Sequence, residues 1–206
     1  MSRIIAPIAA IVAALFLGVY LWATQKANET SPFAQCQATQ VAGDGNGIGG
    51  PFELVTARGE TVTDTDVITE PSLIYFGYTF CPDVCPLDTS RNAEAVDLLA
   101  ERGLSATPIF ITIDPERDTP EIVGDFAYNL HEKMIGLTGS EEQVAAASQT
   151  FRTYYKAHDK SDEFYLVDHS TFTYLVLPEH GFVEFFRRDV SAEVMADRVA
   201  CFIENS

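Results

Sequence analysis

The chain has 206 residues, enough for one well-buried domain and a short extra segment. Hydrophobic residues make up 47% of it, which excludes a disordered chain, and a formal net charge of −17 leaves no basic stripe for nucleic acid. The acidity fits a solvated surface, or steering toward a basic partner surface.

Ile4 to Ala23 is an uncharged, mostly apolar run. At about 1.5 Å per residue it is long enough to span a hydrocarbon core of roughly 30 Å. Pro7 falls near its start, where a helix tolerates proline best. Thr24-Gln25-Lys26 follows with no cleavage motif, so the run reads as an uncleaved transmembrane helix rather than a signal peptide. Arg3 precedes it, while Lys26 and Glu29 follow, so the positive-inside rule puts the N-terminus in the cytoplasm. The three preceding residues leave no room for a mitochondrial transit peptide. The expectation is a single-pass protein of the bacterial inner membrane with its soluble domain in the periplasm. Residues 1–25 form the anchor, 26–47 a tether with a glycine-dense loop, and 48–206 the folded domain. The glycine loop lacks the strand–loop–helix setting and Lys-Ser/Thr ending of a phosphate site.

Pro51 to Val55 and Thr61 to Thr63, around Gly59, read as a β-hairpin. Ser72 to Tyr78 is apolar and aromatic throughout, as in a strand buried on both faces. Cys81-Pro82-Asp83-Val84-Cys85-Pro86 follows directly. A helix then runs to about Arg102, with Val96, Leu99 and Ala100 on one face and Gly103 to end it. Thr107 to Ile113 is a second buried strand. Asp118-Thr119-Pro120-Glu121 opens a helix carrying Ile122, Val123 and Phe126. Met134 to Leu137 is a short strand, and Ser140-Glu141-Glu142-Gln143 is a capping box before a helix with Val144, Ala147 and Phe151 inward. Phe164 to Val167 and Thr171 to Leu177 read as strands, with Asp168-His169-Ser170 between them. Phe182 to Phe186 returns after a turn at Pro178–Gly181. Ser191 to about Ile203 is the last helix, with Met195, Val199 and Phe202 on one face. A β-hairpin, a β-α-β unit, a further helix, an insertion and a closing β-β-α make an α/β, thioredoxin-like fold.

Cys81 and Cys85 lie four apart at the junction of a strand and its helix, so their sulfurs point the same way. The helix N-terminus favours the thiolate. Thioredoxin-type redox motifs have two intervening residues, and here there are three, a bite that suits a soft metal and still permits a disulfide. The residues alone leave three readings open: a reactive dithiol, metal ligands or a structural disulfide. His169 alone reads as a core or loop histidine. His131, His158 and His180 read as solvated residues of helix ends and turns. Asp83 can contact a partner or influence the thiols, and Asp114 and Arg117 can pair across the turn after the second strand. Cys36 and Cys201 are candidates for a disulfide joining the N-terminal segment to the last helix, worth about 4–5 kcal/mol in the chain-entropy picture. Two inert buried thiols or a second redox pair are the alternatives.

Three blocks of sequence, taken in order, resemble the Sco/SenC family of copper proteins. They are Tyr75-Phe76-Gly77-Tyr78-Thr79-Phe80-Cys81-Pro82-Asp83-Val84-Cys85-Pro86, Thr112-Ile113-Asp114-Pro115-Glu116-Arg117-Asp118-Thr119-Pro120 and Val167-Asp168-His169-Ser170. The resemblance spans about Ile48 to Ile203. It implies one copper ion, Cu(I) or Cu(II), per chain, held by Cys81, Cys85 and His169. Asp168 is then a candidate for orienting the imidazole, or else a surface carboxylate, and Asp83 for a supporting role at the site. The resemblance also implies a metallochaperone that helps to assemble the binuclear copper centre of cytochrome c oxidase subunit II, with a periplasmic copper donor. The alternative is a thiol–disulfide oxidoreductase, in which Cys81 and Cys85 form the redox pair and keep the oxidase cysteines reduced. A peroxidase reading, suggested by wider relatives of the fold, ranks third. The copper carrier requires no catalytic residue, and enzymatic activity enters only with the alternatives.

Overall fold

The computed structural model describes residues 15–20, 33–37, 47–162 and 164–206. Most of the expected anchor, Ile4 to Ala23, and most of the tether lie outside these residues. Residues 15–20 are helical, and among the described residues no helix is long and apolar enough to cross a membrane.

Strands β1 (Glu53–Thr56) and β2 (Thr61–Thr63) pair as the expected antiparallel hairpin. A single helical turn, α1 (Asp64–Val67), follows. It is too short to leave a periodic signal. Strand β3 (Ser72–Gly77) leads to the cysteine loop and to helix α2 (Val84–Ala100). Then come β4 (Thr107–Thr112), α3 (Pro120–Leu130), β5 (Ile135–Thr138) and α4 (Glu141–Thr150). Three short strands follow, β6 (Tyr155–Ala157), β7 (Val167–His169) and β8 (Thr173–Leu177). The chain closes with β9 (Gly181–Phe186) and α5 (Ala192–Glu204).

Seven strands form one mixed sheet in the order β2-β1-β5-β4-β3-β8-β9. Strands β3 and β4 are parallel and buried along their whole length, as their unbroken apolar runs require. Antiparallel β8 and β9 complete the β-α-β plus β-β-α arrangement of a thioredoxin-like fold. Tyr174 packs edge to face on Phe76 and Phe151, which are tilted against each other, with centroids 5.3–6.1 Å apart.

Helix starts follow their capping residues. Thr119 and Ser140 accept from the backbone amides of Ile122 and Gln143, and Ser191 accepts from Val194. Gly103, at φ 76°, ends the segment after α2. Ala100, grouped with Val96 and Leu99 on one face, is exposed, as is Ile122.

The insertion differs most from expectation. Phe164 to Leu166 is not a strand, and Val167–His169 is. It pairs with the unforeseen β6 as a separate two-stranded ribbon, with Tyr155 opposite His169 and Ala157 opposite Val167. Three-residue strands are too short to show alternation, and their pairing supplies the order that their sequence lacks.

Cys36 and Cys201 are joined by a disulfide, with Cα atoms 5.6 Å apart. It ties the segment before the domain to α5 and closes a loop across 165 positions. Blocking thiols without reductant is expected to label only two of the four cysteines by intact mass. Replacing Cys36 and Cys201 together by serine should lower the unfolding free energy by about 4–5 kcal/mol, read from denaturant midpoints.

Candidate metal centre

Strand β3 ends at Gly77, and the chain turns through Tyr78, Thr79 and Phe80 to Cys81. Gly77 is required by close approach, because a Cβ there would lie 2.9 Å from the Cys85 sulfur and from the Phe110 and Tyr75 rings. The turn is held by Asp118, which is fully buried. Its carboxylate accepts from the Thr79 amide at 3.0 Å, from the Thr79 hydroxyl, and from the Thr112 hydroxyl at 2.6 Å. Burial raises the Asp118 pKa, and these hydrogen bonds oppose that rise. The neighbouring turn carries the Asp114–Arg117 ion pair expected from sequence. Tyr165 donates to Asp114 at 2.6 Å, and the Arg117 guanidinium lies 3.6 Å from the centre of the Tyr165 ring.

Cys81 precedes α2, and Cys85 sits in its first turn. The N-cap residue, Asp83, makes no side-chain capping bond, and its side chain is exposed. The Cys81 sulfur occupies that role instead. It accepts from the Cys85 amide at 3.4 Å and from the Asp83 amide. Asp83 thus serves the site through its backbone. The Cys81 pKa is held well below the usual thiol range, chiefly by the hydrogen bond with Cys85 and further by His169 and the two amides, against the opposing effect of burial. The pKa of the fully buried Cys85 is pushed up, first by the same pairing and then by desolvation.

His169 ends β7. Strand alternation puts His169 and Val167 on the inner face of the ribbon and Asp168 on the outer one. The ring stands edge-on to Tyr75 and Tyr78, with centroids 6.2 and 5.9 Å away. Its Nδ1–H donates to the Ser170 carbonyl at 2.8 Å, which turns Nε2 toward the Cys85 sulfur at 3.3 Å. Asp168 therefore does not orient the imidazole. Its side chain is 63% exposed and pairs with His158 at 2.9 Å. Of the other histidines, His131 meets Asp97 at 3.2 Å.

The three donor atoms of Cys81, Cys85 and His169 lie within 4.8 Å of one another. A soft cation matches this donor set, because two sulfurs and one imidazole favour copper or zinc over oxygen-seeking ions. Sequence reasoning missed the supporting residues Tyr75, Ser170 and Asp118. The Ser170 contact uses a backbone carbonyl, which leaves no sequence signal, whereas Tyr75 and Asp118 lay inside the motif blocks. A separate cavity of about 280 Å³, lined by Ile48, Phe151 and Phe182, lies at the opposite end of β8 and contains no such cluster.

A thioredoxin-like sheet with two cysteines at its first central helix and a histidine brought in from an insertion defines a metal-binding or thiol-active class. A sequence profile described as SCO1/SenC matches residues 40–204, and the chain belongs to that family. It is 50% identical to Protein SenC of Rhodobacter capsulatus over 188 residues, covering 91% of this chain and 85% of that one. The copper-bound structure of Arabidopsis thaliana ScoI is similar with a TM-score of 0.71 at 37% identity, covering 76% and 99% of the two chains. Copper-bound yeast Sco1 is similar with a TM-score of 0.70 at 32% identity, covering 77% and 90%.

Two outcomes follow. Asp118→Ala strands two half-buried donors on Thr79 and the buried Thr112 hydroxyl, and should cost about 3 kcal/mol in denaturant unfolding. Because the Cys81 pKa is depressed, its alkylation by iodoacetamide should be nearly as fast at about pH 6 as at about pH 8, with Cys85 slower at both. A Cys81 rate that climbs with hydroxide across that range would contradict the seated thiolate.

Proposed function

We propose that this chain is a copper metallochaperone that binds one copper ion through Cys81, Cys85 and His169. The observation that carries the reading is the convergence of two sulfurs and one imidazole nitrogen within 4.8 Å. The copper-bound relatives and family membership support it. Copper is the cargo. The sulfurs suit Cu(I), and the imidazole accommodates Cu(II). Three ligands leave one side of the ion open, so an incoming donor can bind before the outgoing ones release. The proposed acceptor is the binuclear copper centre of cytochrome c oxidase subunit II, with a periplasmic copper donor upstream. Family membership supports that assignment.

We further propose that residues 1–25 anchor the chain in the bacterial inner membrane, 26–47 form the tether and 48–206 the copper-binding domain facing the periplasm. The uncharged Ile4 to Ala23 run supports the anchor. The Cys36–Cys201 disulfide supports an oxidising compartment.

A second reading rests on the opposed shifts of the two thiols. A depressed Cys81 beside a raised Cys85 is the asymmetry of a thiol–disulfide reductant. The Cys81 thiolate would attack a partner disulfide, and Cys85, losing its proton, would then displace the partner. Two electrons pass to the partner, and a Cys81–Cys85 disulfide remains. The two readings are compatible, because the acceptor's cysteines must be reduced before they take metal.

Titrating the purified protein with Cu(I) and with Cu(II) tests the copper reading. Wild type should bind one ion per chain. Cys81→Ser, Cys85→Ser and His169→Ala should each weaken binding by about a hundredfold or more, while Asp168→Ala leaves it unchanged. Copper should then move to an apo fragment of oxidase subunit II. Wild-type affinity and spectrum in His169→Ala would sink the three-ligand site. A reductant that needs no metal would tolerate that change.

A further inference from the structure

His169 reaches the site on the β6–β7 ribbon, whose strands pair only with each other. A two-stranded ribbon holds little order by itself, so the place of the imidazole depends on what docks the ribbon on the domain. One docking contact, Tyr165 on Asp114, precedes β7. A second lies closer to the ligand. The amides of His158 and Ser170 donate to the carbonyls of Leu166 and Tyr154, so residues 166 and 170 turn their backbone groups toward the partner segment. The alternation of an antiparallel ladder then turns the Val167 amide away from β6, where it needs another acceptor. The Tyr78 hydroxyl supplies one at 3.3 Å, and the contact is buried. Tyr78 is itself buried, and it belongs to the cysteine loop. Its backbone carbonyl accepts from the Cys81 amide at 3.2 Å, which closes the turn that delivers the first sulfur. Its ring stands at 85° to the His169 imidazole, with centroids 5.9 Å apart, and the Arg117 guanidinium lies 5.7 Å from the ring centre. Tyr75 also meets the imidazole edge-on, but its hydroxyl goes to Asp88 on α2. A phenylalanine would fill the place of Tyr78 equally well, so the hydroxyl marks a task beyond packing.

We propose that Tyr78 is a positioning residue of the Cys81–Cys85–His169 site: its hydroxyl clasps the Val167 amide and its ring confines the imidazole, so the loop that presents Cys81 also holds the ribbon that presents His169. The inference rests on the copper reading above. Tyr78 acts through His169 and need not touch the metal. Without the clasp the ribbon can carry the imidazole away from the sulfurs, which weakens the third ligand and leaves the two thiols in place.

The test compares purified wild type, Tyr78→Phe, His169→Ala and the variant carrying both changes. Each is measured for Cu(I) affinity against a competing chelator and for thermal unfolding. Wild type and Tyr78→Phe are also compared, without metal, for exchange of the Val167 amide by NMR. Tyr78→Phe should fold, speed that exchange by about tenfold or more while the β3 and β4 amides keep their rates, and lose about tenfold in copper affinity. In the Cu(II) form its imidazole-nitrogen hyperfine coupling should weaken. On the His169→Ala background the same change should cost no further affinity, because a residue that acts through the imidazole then has nothing to position. An equal loss on both backgrounds is a general structural effect and overturns the proposal, as does wild-type affinity in folded Tyr78→Phe. If Tyr78→Phe does not fold, wild type decides: a slowly exchanging Val167 amide supports the clasp, and one exchanging at the rate of an open chain overturns it. Failure of wild type to bind copper overturns the copper reading instead, and the Val167 exchange rates still test the clasp, so the two failures are distinguishable.

Discussion

Two backbone amides at the start of α2 point at the sulfur of Cys81, and the arrangement of the site follows from that seat. A helix N-terminus carries unpaired N–H groups and a partial positive charge. Here a sulfur, rather than the side chain of Asp83, answers them. The loop that delivers the sulfur has little to hold it locally. It is kept in place by Asp118, which reaches from beyond β4 to Thr79 on one side and Thr112 on the other. A buried carboxylate with several hydrogen-bond partners is costly to disturb and rigid when satisfied, which suits a loop that must present one atom in one place.

Around that seat the protein sets two unequal thiols and one oriented imidazole. Cys81 lies at the dipole end, with its thiolate favoured. Cys85 faces the core with its pKa raised. His169 turns one nitrogen to a carbonyl and the other to sulfur. A cation at the centre satisfies all three at once, and a disulfide satisfies only the cysteines. That difference accounts for a histidine being part of the arrangement. It also lets the two proposed roles, carrying copper and exchanging thiols, share one site.

The imidazole comes from a ribbon outside the main sheet. Strands β6 and β7 pair only with each other, and a turn between them places Tyr165 on Asp114 and against Arg117. Through those contacts the ribbon is docked beside the cysteine loop, and its alternation decides which of two adjacent residues faces the metal position. Asp168 and His169 are equally polar neighbours in sequence. The pleat sends one to solvent and His158, and the other to the sulfurs.

Much of the fold was legible from the chain alone. The buried runs at Ser72–Gly77 and Thr107–Thr112, the caps at Thr119, Ser140 and Ser191 and the stop at Gly103 carry local signals strong enough to set their elements. The cysteine spacing at a strand–helix junction marked a reactive pair for the same reason. What the sequence by itself determined, then, was the central β-α-β frame and the presence of two cooperating sulfurs, because the long apolar runs, caps and cysteine spacing that announce them are local signals. The pairing of β6 with β7, the outward turn of Asp168 and the Ser170 carbonyl on Nδ1 were decided only by tertiary structure. Each depends on residues many positions apart or on backbone atoms that every residue shares, and such contacts have no period or spacing to read.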